Sequence, residues 1–154
     1  MAATFHWGNL LDTPYQYICH QVNLQGVMNS GVAKCIKKKY PSTFNRYYEV
    51  CNQYNHKDLF GSVLFTQEDD GKTICNMFSQ DEYGYDGALY TSYDAFRKCL
   101  QQIKEYCPIG SSIAFPWRIG CVRGGADWNI IKIMIDEELE GYDIHYYCLN
   151  KWEA

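Results

Sequence analysis

The sequence predicts an α/β fold of three layers, with helices on both faces of a mixed, largely parallel central sheet, and three observations predict it. Runs rich in β-formers alternate with helical patterns along the whole chain. The hydrophobic share, 47% of 154 residues, is enough to fill one core. No internal repeat or low-complexity linker divides the chain, so residues 1–154 read as a single domain. A chain of this length hides roughly 70% of the surface that its unfolded form exposes, so neither metal nor disulfide staples are needed.

In chain order, Thr4 to Trp7 and Tyr15 to Val22 read as strands, bounded by Gly8 and Pro14 and by the loop Asn23 to Gly31. Val32, Ala33, Ile36 and Tyr40 have helical spacing with Ser30 as N-cap, and Pro41 stops that helix. A second helix runs from Thr43 toward Tyr54. Gly61 to Thr66 and Thr73 to Phe78 are β-rich and joined by the turn Glu68-Asp69-Asp70-Gly71, which predicts a hairpin. Tyr93 to Tyr106 places Phe96, Leu100 and Ile103 on one helical face, and Pro108-Ile109-Gly110 ends it. A short strand, Ser112 to Phe115, precedes the glycine-bearing segment Arg118 to Asp127, a helix from Trp128 to Leu139 and a last strand, Ile144 to Leu149.

Charge and cysteine usage narrow the function. With 14 basic against 18 acidic residues and a net charge of −4, duplex nucleic acid is a poor partner. The basic run Lys34, Lys37, Lys38 and Lys39 reads as the solvated face of a helix. Eight cysteines occur with no Cys-x-x-Cys pair, so zinc ribbons and dithiol chemistry lose their basis, and neither a metal nor a cofactor is expected. Met1 to Trp7 lacks a basic segment followed by an apolar one, so the thiols are expected reduced, mostly buried and cytoplasmic. Ile130 to Leu139, broken by Lys132, Asp136 and two glutamates, is too short to cross a bilayer.

In an α/β sheet of this kind, ligands bind at the carboxyl ends of the strands. Two loops belong there, Asn23 to Gly31 and Ile119 to Ala126, and each leads into a helix. A strand, a glycine-bearing loop and a helix N-terminus aim main-chain N–H groups and a positive dipole end at one point, which suits phosphate oxygens. Two such loops facing each other predict a diphosphate. Neither loop forms a dinucleotide or P-loop signature, and turn glycines alone would also explain them.

Several motifs then fall in a recognisable order. Gly8-Asn9-Leu10-Leu11, Ile18 through Asn23 to Gly26-Val27-Met28, Ser30-Gly31-Val32-Ala33, Ile119-Gly120-Cys121, and Gly124-Gly125-Ala126-Asp127-Trp128 resemble the macrodomain family from Gly8 to Leu149. The resemblance is closest to the compact stand-alone branch, which holds ADP-ribose-1''-phosphate phosphatases and ADP-ribosyl glycohydrolases. It implies a pocket for ADP-ribose or a related NAD-derived nucleotide, free or carried on an ADP-ribosylated macromolecule. By the resemblance, Asn9 with Leu10 meets the adenine, and Asn23 the distal ribose. Gly26, Val27, Met28, Ser30 and Gly31 form the first phosphate and ribose loop. Ile119, Gly120, Cys121, Val122, Arg123 and Gly124 form the second, and Tyr147 packs on the adenine or is an ordinary last-strand aromatic.

Departures from the family bear on chemistry. Glycohydrolase members carry a lysine where Gln80 stands here, and those that pair it with an acid in the second loop find Gly124. Asp127 lies nearby but in an N-cap position. His20 aligns with the histidine of the phosphatase members; Ile18, His20 and Val22 share one strand face, which favours a buried structural histidine. Tyr83, Tyr85 and Tyr90 either cover the ribose end or form a plain surface loop. Three activities therefore stay open: a 1''-phosphate hydrolase, a binding module without turnover, and a glycohydrolase lacking the usual lysine.

Overall fold

A computed structural model describes residues 2–151; Met1 and residues 152–154, which the single-domain expectation and the N-terminal reading include, lie outside the described residues. Six strands, β1 (Thr4–Trp7), β2 (Tyr17–Val22), β3 (Val63–Gln67), β4 (Thr73–Phe78), β5 (Ser112–Pro116) and β6 (Asp143–Cys148), form one sheet. Its order is β1-β6-β5-β2-β4-β3. Neighbours are parallel except the β3–β4 hairpin. This is the mixed, largely parallel sheet that the alternation of elements predicts.

Among the described residues, five helices surround it: α1 (Gly31–Lys39), α2 (Pro41–Gln53), α3 (His56–Leu59), α4 (Tyr93–Tyr106) and α5 (Trp128–Glu138). Alternation along the strands decides which side each residue serves. Cys19, Cys75, Met77, Ile113 and Phe115 meet Phe96, Cys99, Leu100 and Ile103 of α4 and Ile131, Met134 and Ile135 of α5. Ile18, Ile74 and Ala114 on the opposite face meet Ile36 and Tyr40, while Val22 and Phe78 meet Tyr47 and Val50 of α2. Each large side chain fully buried in these layers contributes about 1.5–3 kcal/mol against the entropy of ordering it.

Element ends differ from the sequence reading for local reasons. Tyr15 and Gln16 stay outside β2: Tyr15 N–H turns back to Thr13 Oγ1 at 3.4 Å, and the Tyr15 ring stacks on His145 at 4.1 Å. Pro41 ends α1 and also opens α2, where its missing N–H is no loss, so α2 starts two residues before Thr43. Thr43 lies inside α2, buried, with its hydroxyl 2.7 Å from Thr66 Oγ1. Gly61 and Ser62 form a turn before β3, with Ser62 N–H bonded to Leu59 O. The last strand begins at Asp143 and stops before Leu149. Two short elements escaped the pattern, α3 and a single 3-10 turn at Leu10–Asp12, both shorter than one helical repeat of apolar residues. Seven of the eight cysteines are buried, and Cys35 on α1 is exposed. Among the described residues, no helix is long and apolar enough to cross a membrane.

Candidate functional site

A cleft of about 410 Å³ opens where the chain leaves the carboxyl ends of β1, β2, β4, β5 and β6, and Gly8, Asn23, Gln80, Trp117 and Leu149 all line it. Of the predicted ligand residues, it brings together Asn9, Leu10, Asn23, Val27, Ser30, Gly31, Ile119, Gly120, Val122, Arg123, Gly124 and Tyr147, with His20 in its wall. Gly26, Met28 and Cys121 do not reach it. Met28 is swallowed by the α2-side core, Gly26 sits against the Tyr48 ring, and the buried Cys121 thiol turns to Ile119 O.

The first loop leaves β2 at Asn23. Asn23 Oδ1 accepts from Gln25 N–H at 2.9 Å, and its amide donates to Val27 O at 2.9 Å. The Tyr47 hydroxyl donates to both oxygens of Asn23, at 2.8 and 2.7 Å, and accepts from Val27 N–H at 3.1 Å. Asn23 is therefore first a brace of its own loop, and only the second amide hydrogen is left for a ribose. Ser30 caps α1 without a side-chain bond, no acidic residue sits in the first turn, and Gly31 takes φ 60°, a left-handed conformation that glycine adopts without strain. Ser30, Gly31, Val32 and Ala33 all line the cleft, so the unfilled N–H groups of α1 belong to its wall.

The second loop differs. Asp127 Oδ1 accepts from Asn129 N–H at 2.9 Å and caps α5 itself, so that dipole end is already occupied. Gly124 is held by main-chain bonds from Tyr90 and Thr91 to its carbonyl, at 2.8 and 3.0 Å. A Cβ at Gly124 would overlap Thr91 Oγ1 and the carbonyl of Gly120. The position thus excludes the acid that some family members carry there.

Between the loops lies a polar floor. Ser79 Oγ donates to Gln21 Oε1 at 2.7 Å, Gln21 Nε2 donates to Gln80 Oε1 at 2.9 Å and to Thr91 Oγ1 at 2.8 Å, and Thr91 Oγ1 donates to Gly120 O at 2.8 Å. The Gln80 amide donates onward to Glu82 O at 2.6 Å. Sequence reading missed Gln21 and Thr91, since only the fold sets them beside Gln80. His20 Nε2 lies 2.7 Å from Asn76 Oδ1, across the β2–β4 register, and Asn76 Nδ2 donates to Leu64 O, which fixes the amide orientation. Nε2 therefore carries the hydrogen, and Nδ1 is a bare nitrogen with no partner among the described residues. Burial depresses the His20 pKa to about 4, against the opposing Asn76 bond, so the ring is neutral at pH 7.

At the other end, Asn9 Oδ1 accepts from Leu11 N–H at 3.0 Å and caps the 3-10 turn, so an adenine amino group would share that oxygen. Tyr147 stacks on His6 at 4.6 Å and bonds Thr13 Oγ1 at 2.7 Å. His6 Nε2 in turn lies 2.8 Å from His145 Nδ1. Tyr83 and Tyr85 line the mouth and Tyr90 turns away to Asp86, so the tyrosine loop divides its residues between lining and surface. Among the described lining residues, the only charged side chains are Arg118 and Arg123. Arg118 was not a predicted ligand residue, and nothing in the local sequence marks it.

Fold and cleft together define a three-layer α/β domain whose strand-end cleft combines a helix N-terminus, two glycine-bearing loops and two guanidinium groups. The chain belongs to the macrodomain family, because the Macro domain profile matches residues 19–134. A DNA ADP-ribosyl glycohydrolase of Thermus aquaticus is 26% identical over 140 residues, covering 88% of this chain but only 37% of that relative. The macrodomain of Thermus aquaticus DarG superposes with a TM-score of 0.75 at 25% identity, covering 96% of this chain and 98% of that one. Thermosipho africanus DarTG, solved in complex with ADP-ribose, has the same fold, with a TM-score of 0.76 at 19% identity over 98% of this chain and 43% of that one.

Proposed function

We propose that the cleft holds ADP-ribose, or a close NAD-derived nucleotide, as a 1:1 complex. The observation that carries this reading is the one-sided polarity of the site. In a chain of net charge −4, the described cleft residues include no carboxylate, but two guanidinium groups and an uncapped helix start. A diphosphate with two negative charges matches that wall. The Thermosipho relative solved with ADP-ribose supports the same ligand. The same contacts serve an ADP-ribosyl group carried on a macromolecule. A cytoplasmic setting completes the reading, since eight free thiols suit a reducing compartment.

Holding rather than cleaving is the activity that the floor favours. Release of ADP-ribose from an acceptor needs a nucleophile, a base for water or an acid for the leaving group near C1''. Gln80 supplies none of these, both ends of its amide are engaged, and position 124 admits no acid. A second reading, hydrolysis of ADP-ribose-1''-phosphate, rests on His20, a wall residue of the cleft whose neutral ring leaves Nδ1 without a partner among the described residues; that nitrogen is buried, so the reading requires the ligand or a side-chain shift to uncover it.

Calorimetry with ADP-ribose tests the first reading: saturable 1:1 heat and a raised melting temperature are expected. No heat and no thermal shift at millimolar ligand would overturn it. Release of inorganic phosphate from ADP-ribose-1''-phosphate, abolished in His20→Ala, would establish the second.

A further inference from the structure

The two cleft arginines are not equivalent. Arg123 is exposed, with its guanidinium 4.8 Å above the Tyr85 ring, where water screens its charge and the ring partners it. Arg118 is half-buried, and its guanidinium has neither an ion pair nor a hydrogen bond among the described residues. At φ 59° it is also the only described non-glycine residue in the left-handed region. The second feature costs stability by crowding Cβ against the main chain, and the first leaves the guanidinium donors unfilled by protein acceptors.

The surrounding structure holds the strained residue in place. Trp117 N–H is tied to Tyr147 O at 2.8 Å, Ile119 N–H to Pro116 O at 3.2 Å, and Cys121 N–H to Arg118 O at 2.9 Å. The turn is thus fixed on both sides, and its charge is felt inside the loop: burial pushes the Cys121 thiol up to about 11 while Arg118 pulls it down. A strained main chain and unfilled donors at one residue lining the cleft mark a group kept for a ligand rather than for the fold.

We propose that Arg118 recognises the diphosphate, its planar fork pairing with phosphate oxygens on the second-loop side of the cleft, opposite the open N-terminus of α1. This rests on the reading of the cleft as an ADP-ribose site. Arg118 lines the cleft, and the missing intramolecular acceptor leaves its donors for the ligand. Arg123 is the peripheral charge of the pair.

The experiment compares wild type, Arg118→Gly, Arg118→Lys and Arg123→Ala with ADP-ribose and with uncharged adenosine. Arg118→Gly relieves the strain, so its melting temperature is expected equal to or above wild type. Its ADP-ribose affinity is expected to fall about 30-fold, the scale of a lost charge-assisted bond pair, with adenosine affinity unchanged. Arg118→Lys keeps charge without the fork and falls between. Affinity for ADP-ribose within twofold of wild type in Arg118→Gly, or an equal loss for adenosine, would overturn the assignment while leaving the cleft reading intact. Failure of the wild type to bind ADP-ribose would overturn both.

Discussion

The two loops that flank the cleft keep their shape by different means. The first has a brace of its own, the Asn23 side chain that ties residues 23–27 together, supported by Tyr47 from α2 and by Asp81 O, which accepts from Leu24 N–H at 3.1 Å. The second is held from outside, by Tyr90 and by Thr91, itself bonded by Gln21 of β2, and by Tyr93 at the start of α4, whose hydroxyl accepts from Asp127 N–H at 2.9 Å. The first loop also leaves its helix start open, whereas the second seals its own with Asp127. A loop with a brace of its own tolerates change around it. One pinned from outside fails wherever a new atom enters the contact.

Gly124→Ala tests that contrast with the largest effect. Its Cβ has no room beside Thr91 Oγ1 and Gly120 O, so unfolding free energy is expected to drop by about 3 kcal/mol, with ADP-ribose binding lost. Gly26→Ala, whose Cβ meets the edge of the exposed Tyr48 ring at 3.2 Å and Cys51 Cβ at an ordinary 3.9 Å, is expected to cost about 1 kcal/mol through its positive φ. Equal urea midpoints for the two variants would erase the distinction between the loops.

Acid probes the floor between them. The folded His20 pKa, about 4, lies below the unfolded value. The unfolded chain therefore binds the proton first: the stabilisation is complete above about pH 6.5 and is lost as pH falls to about 4, a change of roughly 3 kcal/mol. Urea midpoints at pH 7, 5 and 4 are expected to decline more steeply for wild type than for His20→Leu, which does not titrate; parallel declines would mean that His20 is not held neutral.

Tyr47→Phe removes the support that α2 gives to the first loop. A loss of about 1.5 kcal/mol is expected, with faster amide exchange at Gln25 and Val27 and none at Gly120. Exchange that quickened in both loops would show them to be one unit. Gln80→Lys keeps a donor for Glu82 O but cannot accept from Gln21, so a cost of about 1 kcal/mol is expected. Wild type is expected to release no labelled ADP-ribose from modified glutamate or DNA; robust release would show that the floor reacts without a lysine. The smallest effect belongs to Arg123→Ala, about 0.5 kcal/mol in binding, because water already screens its charge.

How much of this was legible in the chain follows from the same contrast. Asn23, Ser30 and Gly31 lie close together in the chain and lead straight into α1, so their motif could be read directly. The glycines of the second loop were also legible, but not the reason for Gly124, since Thr91 and Gln21 stand far from it in sequence. Arg123 drew attention for its charge and lines the cleft as an exposed residue, while Arg118 passed unnoticed because no residue pattern reports a left-handed arginine. Asn9 and Asn23 sit in the cleft as the family resemblance implies, yet both oxygens brace the chain first.

By itself, then, the sequence determined the layers, the strand and helix order, the two strand-end loops and the absence of a lysine at position 80, because hydrophobic period, turn chemistry and residue identity are local properties. Only the tertiary structure decided which loop offers an open helix start, which arginine lacks a partner, and that His20 is neutral with one bare nitrogen. Those depend on burial and on partners brought from β4, α2 and the segment around Thr91, and neither desolvation nor a borrowed hydrogen bond is written in the neighbouring residues.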